Sequence, residues 1–169
     1  SREATTMMTR EEFTGQVKAT QEAFRRFLAA LCCGDTQQAD DIAQDAYVKA
    51  YLSVDSLRDP RKFQSWLYSI GYRLFLNHRQ SPRSHQPLDE AAAIVSDQVA
   101  DARFRYEKLY DALAQIPRQR RTAILLFYMH GYSAAEIAEI TDTTPGAARQ
   151  LLARGRHDLE TLLTNAQNR

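Results

Sequence analysis

The sequence predicts an all-α protein: two small helical domains joined by a flexible linker, the second containing a helix-turn-helix. Three observations point there. Ala, Leu, Gln, Glu and Arg dominate, and the 169 residues include only 6 Gly and 5 Pro. Apolar residues recur at three and four positions, while strand-like alternation is scarce. The stretch "SPRSHQPLDEAAAIVSDQVAD", Ser81 to Asp101, opens with two prolines, two serines and no apolar period, which marks a break between halves. Hydrophobic residues make up 44% of the chain, too many for wholesale disorder. The expected division is 9–80, a linker at 81–103, and 104–165. The Ala-rich part after Asp89 can form a short helix.

In the first half, "DTQQADDIAQDAYVKAYLSV" has a helix start signal. Asp35 can cap, with Gln38 three residues later as in a capping box. Ala39, Ile42, Ala43, Ala46, Ala50 and Val54 form a buried stripe. The other face carries Asp40, Asp41, Gln44, Asp45 and Lys49. A solvated face is the plain reading. Four carboxylates (with Asp35) against one lysine also suit a basic partner. Next, Asp59-Pro60 breaks the chain into a loop. Phe63, Trp66, Leu67, Ile70, Leu74 and Phe75 then mark a helix surrounded by Arg58, Arg61, Lys62, Arg73 and Arg79. Cations interleaved with Trp and Tyr suit single-stranded nucleic acid, because bases stack on rings while phosphates need positive charge. Trp66 reads equally as core.

In the second half, Phe104, Leu109, Leu113 and Ile116 line one helix. Pro117 stops it and suits the first position of the next, which Ile124, Leu125, Phe127 and Tyr128 bury. Gly131 fits a C-terminal cap. Ser133 and Glu136 form the S-x-x-E of a capping box, and Ala134, Ile137, Ala138 and Ile140 make a short amphipathic helix. Thr141, Asp142 and Thr143 turn the chain. Thr144 caps the last helix, with Pro145 at its first position. Its inner stripe is Ala148, Leu151, Leu152, Gly155, Leu159 and Leu162. Gly146, Ala147, Arg149, Gln150, Ala153, Arg154 and Arg156 face outward. Small and basic residues at the start of a second helix suit the major groove, where Arg can bond guanine and Gln adenine. An ordinary helical hairpin shares the pattern.

Several classes find no support in the sequence. No apolar run approaches the roughly 20 residues that span a bilayer, and no signal peptide is visible. The start at Ser1 rather than Met suggests a processed end. Adjacent Cys32 and Cys33 point about 100° apart in a helix, and the four histidines are scattered, so no metal site is expected and a reducing cytoplasm fits. No cofactor, no small-molecule substrate and no catalytic motif is indicated. The net charge is only +1, from Lys+Arg 22 and Asp+Glu 21, but an acidic helix and basic elements cancel within it.

Taken together, "ADDIAQDAYVKAY", "KFQSWLYSIGYRLFLNHRQ" and "LYDALAQIPRQRRTAILLFYMHGYSAAEIAEITDTTPGAARQLLARGRHDLETLL" resemble the extracytoplasmic-function (ECF) sigma factors of the sigma-70 family, in family order and spacing. The resemblance implies a non-catalytic specificity subunit that binds core RNA polymerase and promoter DNA. It assigns Asp41, Gln44, Asp45 and Lys49 to polymerase binding. It assigns Arg58, Arg61, Lys62, Trp66, Tyr72, Arg73 and Asn77 to the minus-ten element, with the loop from Asp55 to Lys62 capturing a flipped base. It assigns Ser133, Thr144, Gly146, Ala147, Arg149, Gln150 and Arg154 to the minus-thirty-five element. The linker is expected to thread toward the polymerase active-site channel. A cytoplasmic location is implied, with an anti-sigma factor as a further partner that can hold the chain at the inner membrane. The chain departs from the family at Gly71-Tyr72-Arg73, where Ala-Arg-Asn is usual, at Asn77, at the turn around Thr141-Asp142 and at Leu151. Two alternatives stand beside this reading: a sigma-like mimic that titrates an anti-sigma factor, and a free-standing helix-turn-helix regulator.

Overall fold

The computed structural model describes residues 8–78 and 97–168, with the backbone alone for 97–105. Arg79 and the prolines and serines of the expected linker lie outside the described residues. Helix α1 (Arg10–Leu31) has no counterpart in the sequence reading. Its start is a full capping box: the Thr9 hydroxyl accepts the Glu12 N–H at 3.1 Å, and the Glu12 carboxylate accepts the Thr9 N–H at 3.3 Å. Phe13, Thr20, Phe24, Phe27, Leu28 and Leu31 make its buried stripe. The cysteines are not neighbours inside a helix. Cys32 caps α1, and Cys33 turns into the left-handed region at φ 54°.

Helix α2 (Thr36–Leu52) begins on Asp35, whose carboxylate accepts the Gln38 N–H at 3.1 Å. No return bond from Gln38 is made, so this is a simple cap. Ala39, Ile42, Ala43, Ala46 and Ala50 are buried, and these small side chains let α2 lie close to α1 and to α3. Val54 is only half-buried, in a 3-10 turn at Val54–Ser56. After Asp59 a second 3-10 turn, Pro60–Lys62, leads into α3 (Phe63–Asn77). Gly71 marks the tightest point: a Cβ there would lie 2.8 Å from the Phe24 ring. That contact accounts for glycine where the family usually has alanine.

Helix α4 runs Asp97–Ala114, starting earlier than the expected boundary at 104. Pro117 is the cap of α5 (Arg118–His130), one position before its expected place. Six consecutive residues of α5, Arg121 to Leu126, are buried, because α1, α6 and α7 pack around it. Tyr128, expected inside, is 61% exposed, and Phe127 is half-buried. Gly131 ends α5 in the left-handed region at φ 68°.

Helix α6 (Ala134–Thr141) starts on the full Ser133–Glu136 capping box. Asp142 occupies the left-handed turn position at φ 55°. Asp tolerates that conformation better than most residues, which explains how the turn forms without glycine. Thr144 caps α7 (Pro145–Gln167) by accepting the Ala147 N–H at 3.1 Å, with Pro145 in the first turn.

The two halves lie against each other. Helix α1 packs on α5, and α3 packs on α6, so one continuous core holds residues from Phe13 to Leu152.

Candidate protein-docking and nucleic-acid interfaces

Helix α2 presents the first surface. Asp41, Gln44, Asp45 and Lys49 are all exposed, opposite its buried alanine stripe. The spacing of 41, 44, 45 and 49 puts them on one face. Two of the four carboxylates have local duties: Asp35 caps α2, and Asp40 pairs with Arg25 at 3.1 Å. That pair is more than half exposed on both sides and contributes about 0–1 kcal/mol. Among the described residues, Asp41 and Asp45 have no ion-pair partner in the chain. The same face continues into Val48, 60% exposed, and Leu52, 76% exposed. The sequence reading missed both. Two apolar residues on an otherwise charged face were the available signal.

The second surface surrounds α3. Arg58, Arg61 and Lys62 are exposed on the loop before it. Asp59 accepts from the Arg61 side chain and N–H, and these bonds hold its carboxyl below the usual range. Lys62 lies 3.9 Å from Glu139 of α6. Trp66 is half-buried beside Phe63, with ring centroids 5.9 Å apart. Residues 66, 73 and 77 fall on one line along a helix, and Arg73 and Asn77 are exposed there. Tyr72 corrects the sequence reading: it is 4% exposed, on the inner side of α3, and cannot meet DNA from that position. Helix α3 is apolar on most sides, so its period did not separate Tyr72 from Arg73.

The third surface is the start of α7. Gly146, Arg149, Gln150, Ala153 and Arg154 are exposed, and Ala147 is half-buried. Their three- and four-residue spacing makes one stripe. Ser133 and Thr144 use their side-chain oxygens as caps, so both fix the motif's geometry. Arg156 points elsewhere, its guanidinium 4.6 Å from the Phe127 ring centroid. Leu151, where the family often has a basic residue, packs half-buried against the core. Two features set the angle of this helix, an ion pair the sequence reading did not foresee and Gly155 of the expected inner stripe. Arg120 bonds Asp158 at 2.8 Å, a partly buried pair between α5 and α7. Gly155 lets α7 approach the Arg120 carbonyl and Ile124.

Chemistry of other kinds has little footing. Among the described residues no group of three or more His, Cys, Asp or Glu could hold a metal ion. Burial pushes the Cys32 thiol up to about 12, which leaves it protonated and unreactive. An apolar cavity of about 450 Å³ between α1, α4, α5 and α7 is lined by one charged residue, Arg26. No described helix is long and apolar enough to cross a membrane.

Residues 17–84 match the sigma-70 region 2 family and residues 106–159 the sigma-70 region 4 family. The first match contains the α2 face and α3, and the second contains the helix-turn-helix. These matches define a sigma-70-type transcription initiation factor, a class that is not enzymatic. The ECF RNA polymerase sigma factor SigW of Bacillus subtilis is 32% identical over 141 residues, covering 75% of each chain. The ECF sigma factor SigM of Mycobacterium tuberculosis is 29% identical over 157 residues, covering 88% of this chain and 79% of its own. In fold, the chain is similar to CnrH, solved in complex with the cytosolic domain of CnrY, with a TM-score of 0.72 at 22% identity, covering 93% of this chain and 90% of that one. It is also similar to the sigma factor RpoE of Bartonella quintana, solved with the anti-sigma factor NepR, with a TM-score of 0.69 at 21% identity, covering 91% and 98%. The chain belongs to the ECF sigma factors, the alternative sigma factors of the sigma-70 family.

Proposed function

We propose that the exposed face of α2, through Asp41, Gln44, Asp45 and Lys49, docks this sigma factor on core RNA polymerase. The observation that carries this reading is the pair Asp41 and Asp45, exposed and without ion partners among the described residues, on a helix whose opposite face is buried. Carboxylates of this kind meet a basic surface at little desolvation cost and steer its approach. Arg58, Arg61, Lys62, Trp66, Arg73 and Asn77 serve the minus-ten element, where cations hold the backbone and a ring can stack an unpaired base. Gly146, Ala147, Arg149, Gln150 and Arg154 serve the minus-thirty-five element in the major groove, positioned by the caps at Ser133 and Thr144. An anti-sigma factor is a further partner of the chain. RpoE was solved with the anti-sigma factor NepR, which supports that assignment. A cytoplasmic site of action follows, with retention at the inner membrane when such a partner is anchored there.

The test is co-elution of the purified chain with sigma-free core polymerase. The wild-type chain elutes in the complex. Asp45→Arg keeps its fold, because the side chain is exposed, and elutes free. Equal co-elution of the variant overturns the assignment of the α2 face.

A further inference from the structure

Helices α1, α4, α5 and α7 surround the apolar cavity of about 450 Å³. Its inner wall is aliphatic: Ala30, Leu113, Ile124 and Leu125 line it and are all buried. Its rim is open and largely aromatic, with Tyr106 59% exposed, Tyr128 61% and Met129 40%. Apolar side chains held around a hollow leave area in water that a ligand would cover. The rim is fixed by its neighbours. Tyr106 stacks on Tyr110, ring centroids 6.2 Å apart and planes 29° from parallel. Gly34, at φ 88°, brings the turn after α1 onto the Tyr110 ring, where a Cβ would lie 3.0 Å away. Arg156 covers Tyr128, its guanidinium 5.4 Å from the ring centroid. A hollow that is apolar within, polar at a few points and built by several helices has the form of a small-molecule site.

Charge selects the sign of the ligand. Among the described residues Arg26 of α1 is the one charged member of the lining, and no carboxylate joins it. Arg26 is exposed and has no ion-pair partner among those residues. A cation at the mouth of an apolar hollow suits an amphiphile with one anionic head. A cationic ligand would be repelled, and a polyanion would leave charge unpaired against the apolar wall. The tyrosine hydroxyls at the rim add hydrogen-bond donors. Size and shape bound the tail. A water takes about 30 Å³ of liquid, so the hollow corresponds to about 15 groups of that size. The buried wall is made of branched aliphatic side chains, and a flexible alkyl chain follows such a wall better than a flat ring system.

We propose that this cavity binds a single-chain amphiphile with a carboxylate head, a fatty acid of about ten to twelve carbons, its tail against Leu113, Ile124 and Leu125 and its head at Arg26. The lining shares no residue with the α2 face, the α3 surface or the stripe at the start of α7, so the site stands apart from the polymerase and promoter readings. The test is a titration of the full chain, labelled with methyl-13C methionine, with decanoate below its micelle concentration. The chain has 3 methionines. Met129 lines the cavity, whereas Met8 packs against the core elsewhere, and Met129→Leu assigns the signal. Decanoate shifts the Met129 methyl resonance saturably and leaves that of Met8 in place. It also raises the melting temperature, because it binds the folded chain. No saturable shift at Met129 overturns the site, and so does a joint shift of Met8 and Met129, the mark of general surfactant action. Arg26→Gln, at an exposed position, keeps the fold and weakens decanoate about two- to fivefold, with decanol, the neutral chain of equal length, unaffected. Equal loss for both ligands, or for neither, overturns the carboxylate assignment. Ala29→Leu adds bulk to a half-buried lining position and abolishes the Met129 shift. Full affinity in that variant places the ligand elsewhere and overturns the site; if the variant does not fold, the Met129 titration and Arg26→Gln decide alone.

Discussion

Gly155→Ala tests how closely the recognition helix is seated. In an unconstrained helix, alanine is favoured over glycine by about 1 kcal/mol. Gly15, exposed on α1 with nothing within 4 Å of an added Cβ, is such a case, and Gly15→Ala should stabilise the chain by up to about 1 kcal/mol. At Gly155 the new methyl would lie 2.6 Å from Ile124 Cγ2 and 3.0 Å from the Arg120 carbonyl oxygen. Ile124 is 2% exposed but lines the apolar cavity, so its methyl can give way more easily than the carbonyl. The carbonyl belongs to the α5 backbone, so relief requires α7 to move. Overpacking of this kind costs about 1–3 kcal/mol, and a backbone neighbour that cannot turn aside places it near the upper end. After the helix gain, a net loss of about 2 kcal/mol remains. With a urea slope of about 2 kcal/mol per molar, the unfolding midpoint falls by about 1 M. The assay is urea unfolding of both variants beside wild type. A Gly155→Ala chain that is stabilised like Gly15→Ala refutes the close α5–α7 seating.

Three further outcomes are expected. Arg149→Ala lowers use of promoters that depend on the upstream element by about 1–3 kcal/mol in apparent affinity, measured by transcription from matched templates; equal use of all templates removes Arg149 from the reading surface. Asp142→Val destabilises the chain by about 1–2 kcal/mol, because a branched side chain resists the left-handed turn, whereas Asp142→Gly is tolerated; thermal melts separate the two, and equal melting temperatures contradict the turn geometry. Burial, aided by the Arg26 charge, holds His130 below its ordinary value of 6.5. Between its folded and unfolded values the unfolded chain binds more protons, so this contribution is present above pH 6.5 and is lost as pH falls below it. His130→Gln should flatten that part of the stability profile, and an unchanged profile assigns the slope to other groups.

What the sequence disclosed follows the range of each interaction. The caps at Asp35, Ser133 and Thr144 and the alanine stripe of α2 are local, and spacing alone locates them. The helix-turn-helix was legible because its signals lie within a few residues of one another. The seam between the halves was not. Tyr68 and His130 meet across 62 positions and Arg121 and Leu31 across 90, and no period links such pairs. Arg121 looked like its neighbours Arg118 and Arg120, all three being plausible surface cations. A finer signal was present: Arg121 precedes Ile124 and Leu125 by three and four residues, which sets it on the inward stripe. Tyr72 failed for the opposite reason, since α3 is apolar on so many sides that no outward face stood out.

The near-neutral charge takes on a meaning once the contacts are known. DNA affinity follows the number of phosphates a protein neutralises. In the folded chain several cations are already engaged: Arg61 by Asp59, Lys62 by Glu139, Arg120 by Asp158, Arg121 by two carbonyls and Arg156 by two rings. On the two surfaces proposed to read DNA, Arg58 and Arg73 on one and Arg149 and Arg154 on the other remain exposed for phosphate. With so few cations, neither surface is expected to hold DNA firmly by itself. Held on one polymerase scaffold, the second contact becomes intramolecular, and weak modules combine into firm promoter binding through effective concentration. A free-standing repressor needs the opposite arrangement, with cations concentrated on one accessible face. Low net charge and cations engaged within the chain therefore suit a subunit that binds promoters on a polymerase scaffold better than a regulator that binds DNA alone.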